Sequence, residues 1–377
     1  MAVNKLVRVA DYARRNFAAS HPSLKPSERI WLISERGYDA QDNGAAFFEW
    51  LCVQHPEIHA VYVISPDDAD YAKMHALGDT VECGSKRHYE LMYQAEALIS
   101  THAFGYTPDM VIYDHLARAG LFHPDGISVF LQHGLLDKQS TWLNRKVFKP
   151  DLFEISAWPE YEIAHLFNRQ PAACLMTSGQ CRYDKLYLSQ PGNTLLIMPT
   201  WRKWLAGVTQ DEFTNSEYCR EWNRVLSASA IGDLPHDWHI IFRLHPEMAG
   251  YYGEFHTVFP DKVTISASDD IGDLIRQSSA VLTDYSSVAY DFIFRQLPVT
   301  FFQFDRERYI TEHYSGICIK PETFGRIAST SENAATDFIK SIGDIGSVRI
   351  PSGFFIHKDA KNCQRTYDAI CEKLACR

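Results

Sequence analysis

The sequence lacks several features that would assign it to a well-marked class. No apolar run among its 377 residues reaches the length of a membrane-spanning helix, and no signal peptide is expected at its start. The nine cysteines are scattered without a CxxC pair, which favours reduced thiols in the cytoplasm over a disulfide framework or a zinc module. A net charge of −10 argues against nucleic acid as a partner.

Motifs of common nucleotide and metal enzymes are also missing. No GxGxxG follows the first predicted strand and no Walker lysine motif occurs, which argues against a dinucleotide oxidoreductase and a P-loop nucleotidase. The histidines show no HExxH spacing, so no metal site is predicted. The remaining composition, 46% hydrophobic and 22% charged, is that of an ordinary globular protein.

Strand patterns alternate with helix patterns along the chain, which predicts an α/β protein with parallel sheets covered by helices on both faces. The predicted strands form two series, at residues 29–34, 60–65, 97–101, 128–132, 152–156 and 173–177, and at 194–198, 239–244, 263–266, 280–283 and 299–304. The predicted helices are 44–54, 88–95, 159–167, 211–229, 270–277 and 363–375. The length predicts two domains, and the turn-rich SQPGN at 189–193 places their boundary between 1–190 and 191–377. We therefore expect two Rossmann-like domains facing across a cleft, with the last helix packing back on the first.

The first thirty residues carry six basic and two acidic side chains in an otherwise acidic protein. Their pattern predicts an amphipathic helix in which Leu6, Val9, Ala10, Ala13 and Phe17 share a face. Two interpretations stay open. The helix lies on an anionic membrane surface, or it packs on its own domain.

The segment 273–305 predicts a strand, a loop, a helix and a second strand. The loop contains Thr283, Asp284, Ser286 and Ser287 just where the helix begins. Hydroxyl groups beside the unpaired N–H groups of a helix start can bind phosphate. The alternative is that these residues only cap the helix.

Other polar side chains stand at or after the ends of predicted strands, where open α/β sheets bind ligands. They are His133, Arg202, Arg243 and His245. Each has a structural alternative: a turn histidine, a domain-bridging arginine, a surface ion pair, or a histidine that ends a strand before proline. After the first strand, Asp42 and Asn43 are candidates for the acceptor side, or an N-cap of the helix 44–54.

Seven segments, taken in order, resemble the CDP-glycerol glycerophosphotransferase family of teichoic-acid and capsule polymer synthesis. They are WLISERGYDAQDNG (31–44), FLQHGLLDK (130–138), DLFEISAWPEYE (151–162), SGQCRYDKL (178–186), MPTWR (198–202), FRLHP (242–246) and LTDYSSVAYDF (282–292). The resemblance implies a GT-B fold, a CDP-glycerol or CDP-ribitol donor, and a glycan or polyol-phosphate acceptor. It also implies a cytoplasmic enzyme that works on the inner face of the cell membrane, with the segment 1–30 as the candidate contact.

The resemblance further implies roles for single residues, with His133 as the general base. The implied donor-binding residues are Arg202, Arg243, His245, Thr283, Asp284, Ser286 and Ser287. The implied acceptor-binding residues are Asp42, Asn43 and Lys138. No metal is required on this account, although Mg²⁺ bound with the nucleotide is compatible with it. Two other functions stay open: a GT-B glycosyltransferase or sugar-nucleotide epimerase, and a non-catalytic nucleotide-binding module.

Overall fold

The computed structural model describes residues 2–20, 29–266, 269–314 and 316–377, with side chains from Leu6 onward. Two all-parallel sheets of seven and six strands confirm the predicted α/β architecture. The strands of one sheet all precede residue 177 and those of the other all follow residue 193. These two parts are called the first half and the second half below, and the domain boundary after residue 190 stays a prediction.

The sheet of the first half has the strand order β3-β2-β1-β4-β5-β6-β7. Its strands are β1 Ile30–Ser34, β2 His59–Val63, β3 Asp79–Val81, β4 Ala97–Ser100, β5 Ile127–Phe130, β6 Leu152–Glu154 and β7 Leu175–Met176. Its helices are α1 Ala2–Ala19, α2 Asn43–Gln54, α3 Tyr71–Leu77, α4 Lys86–Gln94, α5 Met110–Arg118, α6 Trp158–Glu162 and α7 Tyr183–Leu188. All five residues of β1 are buried, as expected for a central strand covered on both faces.

The sheet of the second half has the strand order β10-β9-β8-β11-β12-β13. Its strands are β8 Thr194–Ile197, β9 His239–Arg243, β10 Val263–Ser266, β11 Ser278–Thr283, β12 Val299–Phe302 and β13 Arg326–Ala328. The remaining helices are α8 Gln210–Thr214, α9 Glu217–Leu226, α10 Ser229–Gly232, α11 Ile271–Gln277, α12 Val288–Phe294, α13 Arg306–Glu312, α14 Ser331–Lys340 and α15 Asn362–Ala375.

Helix boundaries account for most differences from the sequence predictions. The helix predicted at 211–229 is divided into α8, α9 and α10. It is interrupted at Ser216, whose side chain accepts the backbone N–H of Cys219 and so begins a new helix. The short strands β3 and β13 and the helices α3, α5, α7, α13 and α14 were not predicted, because three-residue strands and short helices carry little periodic signal.

Helix α12 is buried on every side, although its sequence suggested a single apolar face. It follows the serine loop of the second half and packs against α7 of the first half, where Phe294 stacks on Tyr183 with ring centroids 4.3 Å apart. A helix covered by both halves has no solvent-facing side, which explains why all seven residues are buried, Asp291 included.

The last helix, α15, packs on the first half. Tyr367 stacks on His55 with centroids 3.7 Å apart and also contacts Trp31. Asp184 accepts the backbone N–H groups of Asn362 and Cys363 at the start of α15. The chain therefore returns to the half in which it began.

Helix α1 packs on α4, with Tyr12, Asn16 and Ala19 buried and the Tyr12 ring edge-on to Tyr89. The fully buried residues are not among the five predicted to share the apolar face. Of those five, Leu6 and Phe17 remain 72% and 65% exposed, Ala10 is exposed, and Val9 and Ala13 are half-buried. Lys25 and Glu28, which contribute to the charge of this segment, lie outside the described residues. Among the helices that the structure describes, none has the length and apolar character to cross a membrane.

Candidate active site

Loops at the carboxyl ends of β5, β9 and β11 face one another between the two halves. They carry His133, His245 and the pair Ser286 and Ser287. Strand β5 belongs to the sheet of the first half, whereas β9 and β11 belong to the sheet of the second half, so the carboxyl edges of two sheets face each other here. Gly134 lies against Ser287, and the charge of His133 acts on His245, which shows that these side chains, distant in sequence, come together.

The loop that carries His133 is fixed by buried polar side chains on both sides. The Asn43 side-chain amide donates to the carbonyl groups of Leu131 (3.1 Å) and Gln132 (3.0 Å). Gln132 has a φ of 57°, which turns the chain sharply after β5. The Glu160 carboxylate accepts from Gln132 Nε2 (2.8 Å) and from the backbone N–H of Leu136 (2.7 Å). His133 is therefore exposed to the cleft on a backbone that has little freedom to move.

The protonation of His133 follows from its contacts. Its Nδ1 lies 3.3 Å from the carbonyl oxygen of Thr101, which can only accept, so Nδ1 carries the proton and Nε2 has a free lone pair. The ring stacks on His102 with centroids 4.5 Å apart. Desolvation by the surrounding protein lowers the pKa of His133, partly opposed by the negative charge of Asp42. A neutral imidazole with a free Nε2 at neutral pH is suited to accept a proton.

His245 is held in the opposite tautomer. Its Nδ1 accepts the backbone N–H of Glu247 (3.2 Å), so the proton is on Nε2 and can be donated to a ligand. Burial, followed by nearby basic groups, lowers the pKa of His245 to about 4. Those groups are Arg36, His133, Arg243 and His313. Basic groups from both halves therefore converge on one position, as an anionic ligand requires.

The serine pair lies against the histidine loop. A Cβ atom on Gly134 would be 2.2 Å from the Ser287 hydroxyl oxygen, so only glycine permits this approach. Ser287 accepts no capping hydrogen bond, whereas the Ser286 hydroxyl accepts the backbone N–H of Val288 at 3.3 Å. The capping interpretation therefore describes Ser286 in part and Ser287 not at all.

Arg243 is a buried cation without a carboxylate partner in the described part of the chain. It is 6% exposed, and its guanidinium donates only to the carbonyl groups of Leu244 (3.0 Å) and Asp269 (3.3 Å). Desolvation lowers the pKa of Arg243. Buried charges in proteins are normally paired, so an anion beside His245 would complete this arrangement.

Three predicted donor-binding side chains do not reach the cleft. Arg202, Thr283 and Asp284 are fully buried. Arg202 pairs with Asp284 (2.8 Å) and Asp305 (2.7 Å) inside a ring of aromatic side chains, and the Thr283 hydroxyl donates to the Met198 carbonyl (2.6 Å). The prediction of direct ligand contact by these side chains is corrected, because no side-chain surface remains for a ligand. Their contacts fix the loops after β8 and β11 instead.

The predicted acceptor-side residues lie in three different surroundings. Asp42 is half-buried near His133 and pairs with Arg182. Asn43 is fully buried and holds the histidine loop, so its predicted contact with an acceptor is also corrected. Lys138 is 8% exposed and donates to Asp137 (2.6 Å), beside a small cavity that Ser286 also lines. Lys138 and Ser286 therefore line the same small cavity.

Sequence reasoning missed four basic residues of this site. They are Arg36, His102, Arg182 and His313. Arg36 follows β1 and Arg182 follows β7 in segments quoted for the family resemblance, so the strand-end rule could have found both. His313 follows α13 and reaches the site through tertiary packing, with its Nδ1 accepting the backbone N–H of Lys203 (3.0 Å). Within the described ranges, no group of three or more His, Cys, Asp or Glu side chains is placed to hold a metal ion.

Comparison with known proteins agrees with the family resemblance of the sequence motifs. Residues 15–372 match the family described as CDP-glycerol:poly(glycerophosphate) glycerophosphotransferase. The minor teichoic acid biosynthesis protein GgaB of Bacillus subtilis (strain 168) is 28% identical over 368 residues, which cover 91% of this chain. The chain spans 40% of the length of GgaB.

Solved structures share the fold at low sequence identity. The wall teichoic acid polymerase TagF matches with a TM-score of 0.66 at 15% identity, covering 99% of this chain and 98% of that one. A histidine variant of TagF soaked with CDPG matches with a TM-score of 0.65 at 14% identity and the same coverage. The MnaA–UDP structure from S. aureus matches with a TM-score of 0.55 at 12% identity, covering 92% and 97%.

Proposed function

Because the chain belongs to the CDP-glycerol:poly(glycerophosphate) glycerophosphotransferase family, we propose that it transfers glycerol phosphate from CDP-glycerol to an acceptor hydroxyl. The acceptor is a glycan or a polyol phosphate, and the product belongs to a teichoic-acid-like or capsule polymer. The curated relative GgaB is named for teichoic acid biosynthesis, and the solved TagF variant was soaked with CDPG, which supports this substrate class.

In the proposed reaction, the acceptor oxygen attacks the phosphorus atom that bears glycerol. A new P–O bond forms, the bond from this phosphorus to the bridging oxygen breaks, and CMP leaves with that oxygen. The acceptor proton passes to Nε2 of His133, the ring nitrogen that its contact with Thr101 leaves free. A positioned base of this kind contributes about two to four orders of magnitude to the rate.

The departing phosphate gains negative charge as the bond breaks. In this proposal His245 Nε2–H, the hydroxyl groups of Ser286 and Ser287, and the guanidinium of Arg243 stabilise that charge. Preorganised donors of this type are each worth about a hundred- to a thousand-fold in rate. The proposal needs no metal ion, and comparing activity with EDTA and with added Mg²⁺ tests that part separately.

One observation supports this assignment more than any other. The chain has glycine at 134, next to the candidate base, and the Ser287 hydroxyl fills the space that a side chain would take. The base and the phosphate-binding hydroxyls therefore belong to one site, although they come from different halves.

The direct test is donor turnover by the purified protein. We expect CMP release from CDP-glycerol in the presence of a polyol-phosphate or glycan acceptor. CDP-ribitol, assayed in parallel, identifies the polyol. Release of UDP from a UDP-sugar would instead favour a glycosyltransferase or epimerase; the solved MnaA structure, which shares the fold, contains UDP. CDP binding without turnover would leave a nucleotide-binding module.

We also propose that the protein works in the cytoplasm on the inner membrane face. Leu6, Val7 and Phe17 of α1 are exposed beside Arg8 and Arg14, a combination suited to an anionic bilayer surface.

A further inference from the structure

We propose that Arg182 is a positioning residue that holds the candidate base His133 in register with Ser287 across the two halves. Arg182, Asp42 and Asp291 are called the Arg182 bridge below. The inference rests on the proposed function, since it assigns to this bridge the alignment of the base with the phosphate-binding hydroxyls.

The Arg182 bridge is a largely buried ion-pair triad that crosses between the halves. Arg182 pairs through Nη1 with Asp42, in the first half, and through Nη2 with Asp291 of α12, at 2.9 Å. The side chain of Asp291 is 2% exposed and that of Arg182 is 14% exposed. Buried ion pairs seldom add net stability compared with apolar side chains of similar size, so stability alone is a weak reason for this triad.

Hydrogen bonds continue from Arg182 to the histidine loop. Its backbone N–H donates to Asn43 Oδ1 (3.0 Å), and the Asn43 amide donates to the carbonyl groups of Leu131 and Gln132. Gln132 is the residue that precedes His133 in the chain. The residue that binds α12 through its side chain therefore also orients the base through its main chain.

On the other side, Asp291 lies one helical turn after Ser287. A helix moves as a rigid unit over such a distance, so the position of Asp291 sets the position of Ser287. The contact between Ser287 and Gly134 leaves no spare room, and misplacement by about 1 Å at such sites can cost about a hundred-fold in rate.

Arg182 also contributes to the charge around His133. The charged and titratable groups facing His133 are Asp42, Arg36, Arg182, His102 and His245. Asp42 favours the protonated imidazole, whereas Arg182 and Arg36 oppose it. Loss of the Arg182 charge leaves Asp42 uncompensated, which raises the pKa of His133 and reduces the neutral fraction of the base.

Two substitutions separate the charge of Arg182 from its shape. Arg182→Gln removes both, and we expect kcat to fall at least tenfold while the acid limb of the kcat/KM profile moves to higher pH. Arg182→Lys keeps the charge but cannot contact two carboxylates with a planar fork, so the acid limb should stay in place while kcat remains reduced. CDP affinity, measured by calorimetry, should change less than about threefold, because Arg182 does not contact the donor in this proposal.

The control is Lys185→Gln. Lys185 belongs to the same helix, α7, and pairs with Glu49 of α2 at 2.6 Å, so its ion pair lies within the first half alone. We expect its kcat and pH profile to match the wild type. None of the three substitutions alters Tyr183 or Phe294, whose stacking joins α7 to α12, so we expect this contact to persist.

A measurement that does not depend on enzymatic turnover tests this inference separately from the proposed function. Absence of CMP release by the wild type would reject the proposed function, whereas NMR titration of His133 in the same variants would still test the bridge. An unchanged His133 titration in Arg182→Gln, or a kcat for that variant equal to that of Lys185→Gln, would overturn the inference.

Discussion

His133 and His245 have the same side chain but offer opposite chemistry. Nδ1–H of His133 donates to the carbonyl oxygen of Thr101, whereas Nδ1 of His245 accepts from the backbone N–H of Glu247. One imidazole is thereby prepared to accept a proton and the other to donate one. Backbone groups set both states, so a neutral solution pH suits both residues at once.

The first prediction concerns the base. His133→Ala should lower kcat by at least about a hundred-fold while CDP affinity changes little, because the imidazole acts on the acceptor proton. In the wild type, protonation disables the base, so activity should fall with decreasing pH through the pKa of His133. Desolvation by the surrounding protein lowers that pKa, so the acid limb should lie below the ordinary value of about 6.5. Near-normal turnover in a folded His133→Ala variant would remove this residue from the mechanism.

The second prediction concerns the donor phosphates. Ser286→Ala and His245→Ala should each weaken CDP binding, measured by calorimetry, and lower turnover as well. His239→Ala is the matched control, because His239 begins β9, the strand that leads to His245, and its ring pairs with Thr264 (2.7 Å). Unchanged CDP affinity in both test variants would mean that the loops bind no donor phosphate.

The third prediction concerns a buried carboxyl group that has no assigned role. Glu154 is fully buried below the histidine loop, and neither carboxyl oxygen has a hydrogen-bond partner. Desolvation raises its pKa well above the usual value, with the negative charge of Glu160 adding to the effect. The native state therefore keeps a proton that the unfolded chain loses above about pH 4.3. The free energy of unfolding falls as pH rises from this value toward the raised pKa of Glu154 in the native state.

Glu154→Gln should remove this loss. Thermal unfolding should show a variant more stable than the wild type at pH 8, with the difference shrinking toward pH 4.5. Glu162→Gln, on the exposed end of α6, should change stability by less than about 0.5 kcal/mol. A pH-independent destabilisation by Glu154→Gln would indicate that this carboxyl is ionised and paired in solution.

At the scale of elements, the loops after β8 and β11 depend on one buried arginine. Arg202 neutralises Asp284, after β11, and Asp305, after β12. Three segments that are separate in sequence are thereby joined under the donor side of the cleft.

The fourth prediction follows from this arrangement. Arg202→Met should lower the free energy of unfolding by about 3–5 kcal/mol, because two buried carboxylates lose their partner. Arg308→Met is the control: this guanidinium lies over the Trp204 ring at 4.5 Å, and its pair with Glu312 is half exposed. Such an exposed pair is worth less than about 1 kcal/mol. Equal stability of the two variants in urea unfolding would show that Arg202 does not hold these loops.

At the scale of the whole molecule, the outer face of α1 is the surface that the proposed membrane contact would use. Its inner residues pack on α4, so the alternative of packing on the domain is realised, yet Leu6 and Phe17 stay exposed. Arg14 and Arg15 both pair with Asp11, which reduces the positive charge available to lipid.

The fifth prediction is weak, salt-sensitive binding to anionic vesicles. Each basic residue near an anionic surface is worth about 1 kcal/mol, and salt screens this attraction over about 8 Å at physiological ionic strength. Neutralising the basic residues of α1 should reduce flotation at low salt; these are Lys5, Arg8, Arg14 and Arg15. Zwitterionic vesicles are the control. No flotation with anionic vesicles at low salt would mean that α1 serves only the fold.

Much of the architecture follows from the sequence by itself. Alternating strand and helix patterns gave two parallel sheets, because buried parallel strands need continuous apolar runs such as IWLIS in β1. The strand-end rule selected His133 in one half and His245 and the serine pair in the other, each after the carboxyl end of a strand. The seven quoted segments indicated the family to which the chain belongs.

Only the tertiary structure decided which polar residues of these segments face the cleft. Arg202 and Arg243 both lie near strand ends in quoted segments, yet Arg202 is enclosed by Asp284 and Asp305, whereas Arg243 has no carboxylate partner in the described ranges. Asp305 is 103 residues from Arg202, so no local pattern could reveal this pairing. The direction of a side chain depends on the charges and rings that distant segments bring to it, and that information exists only once the chain is folded.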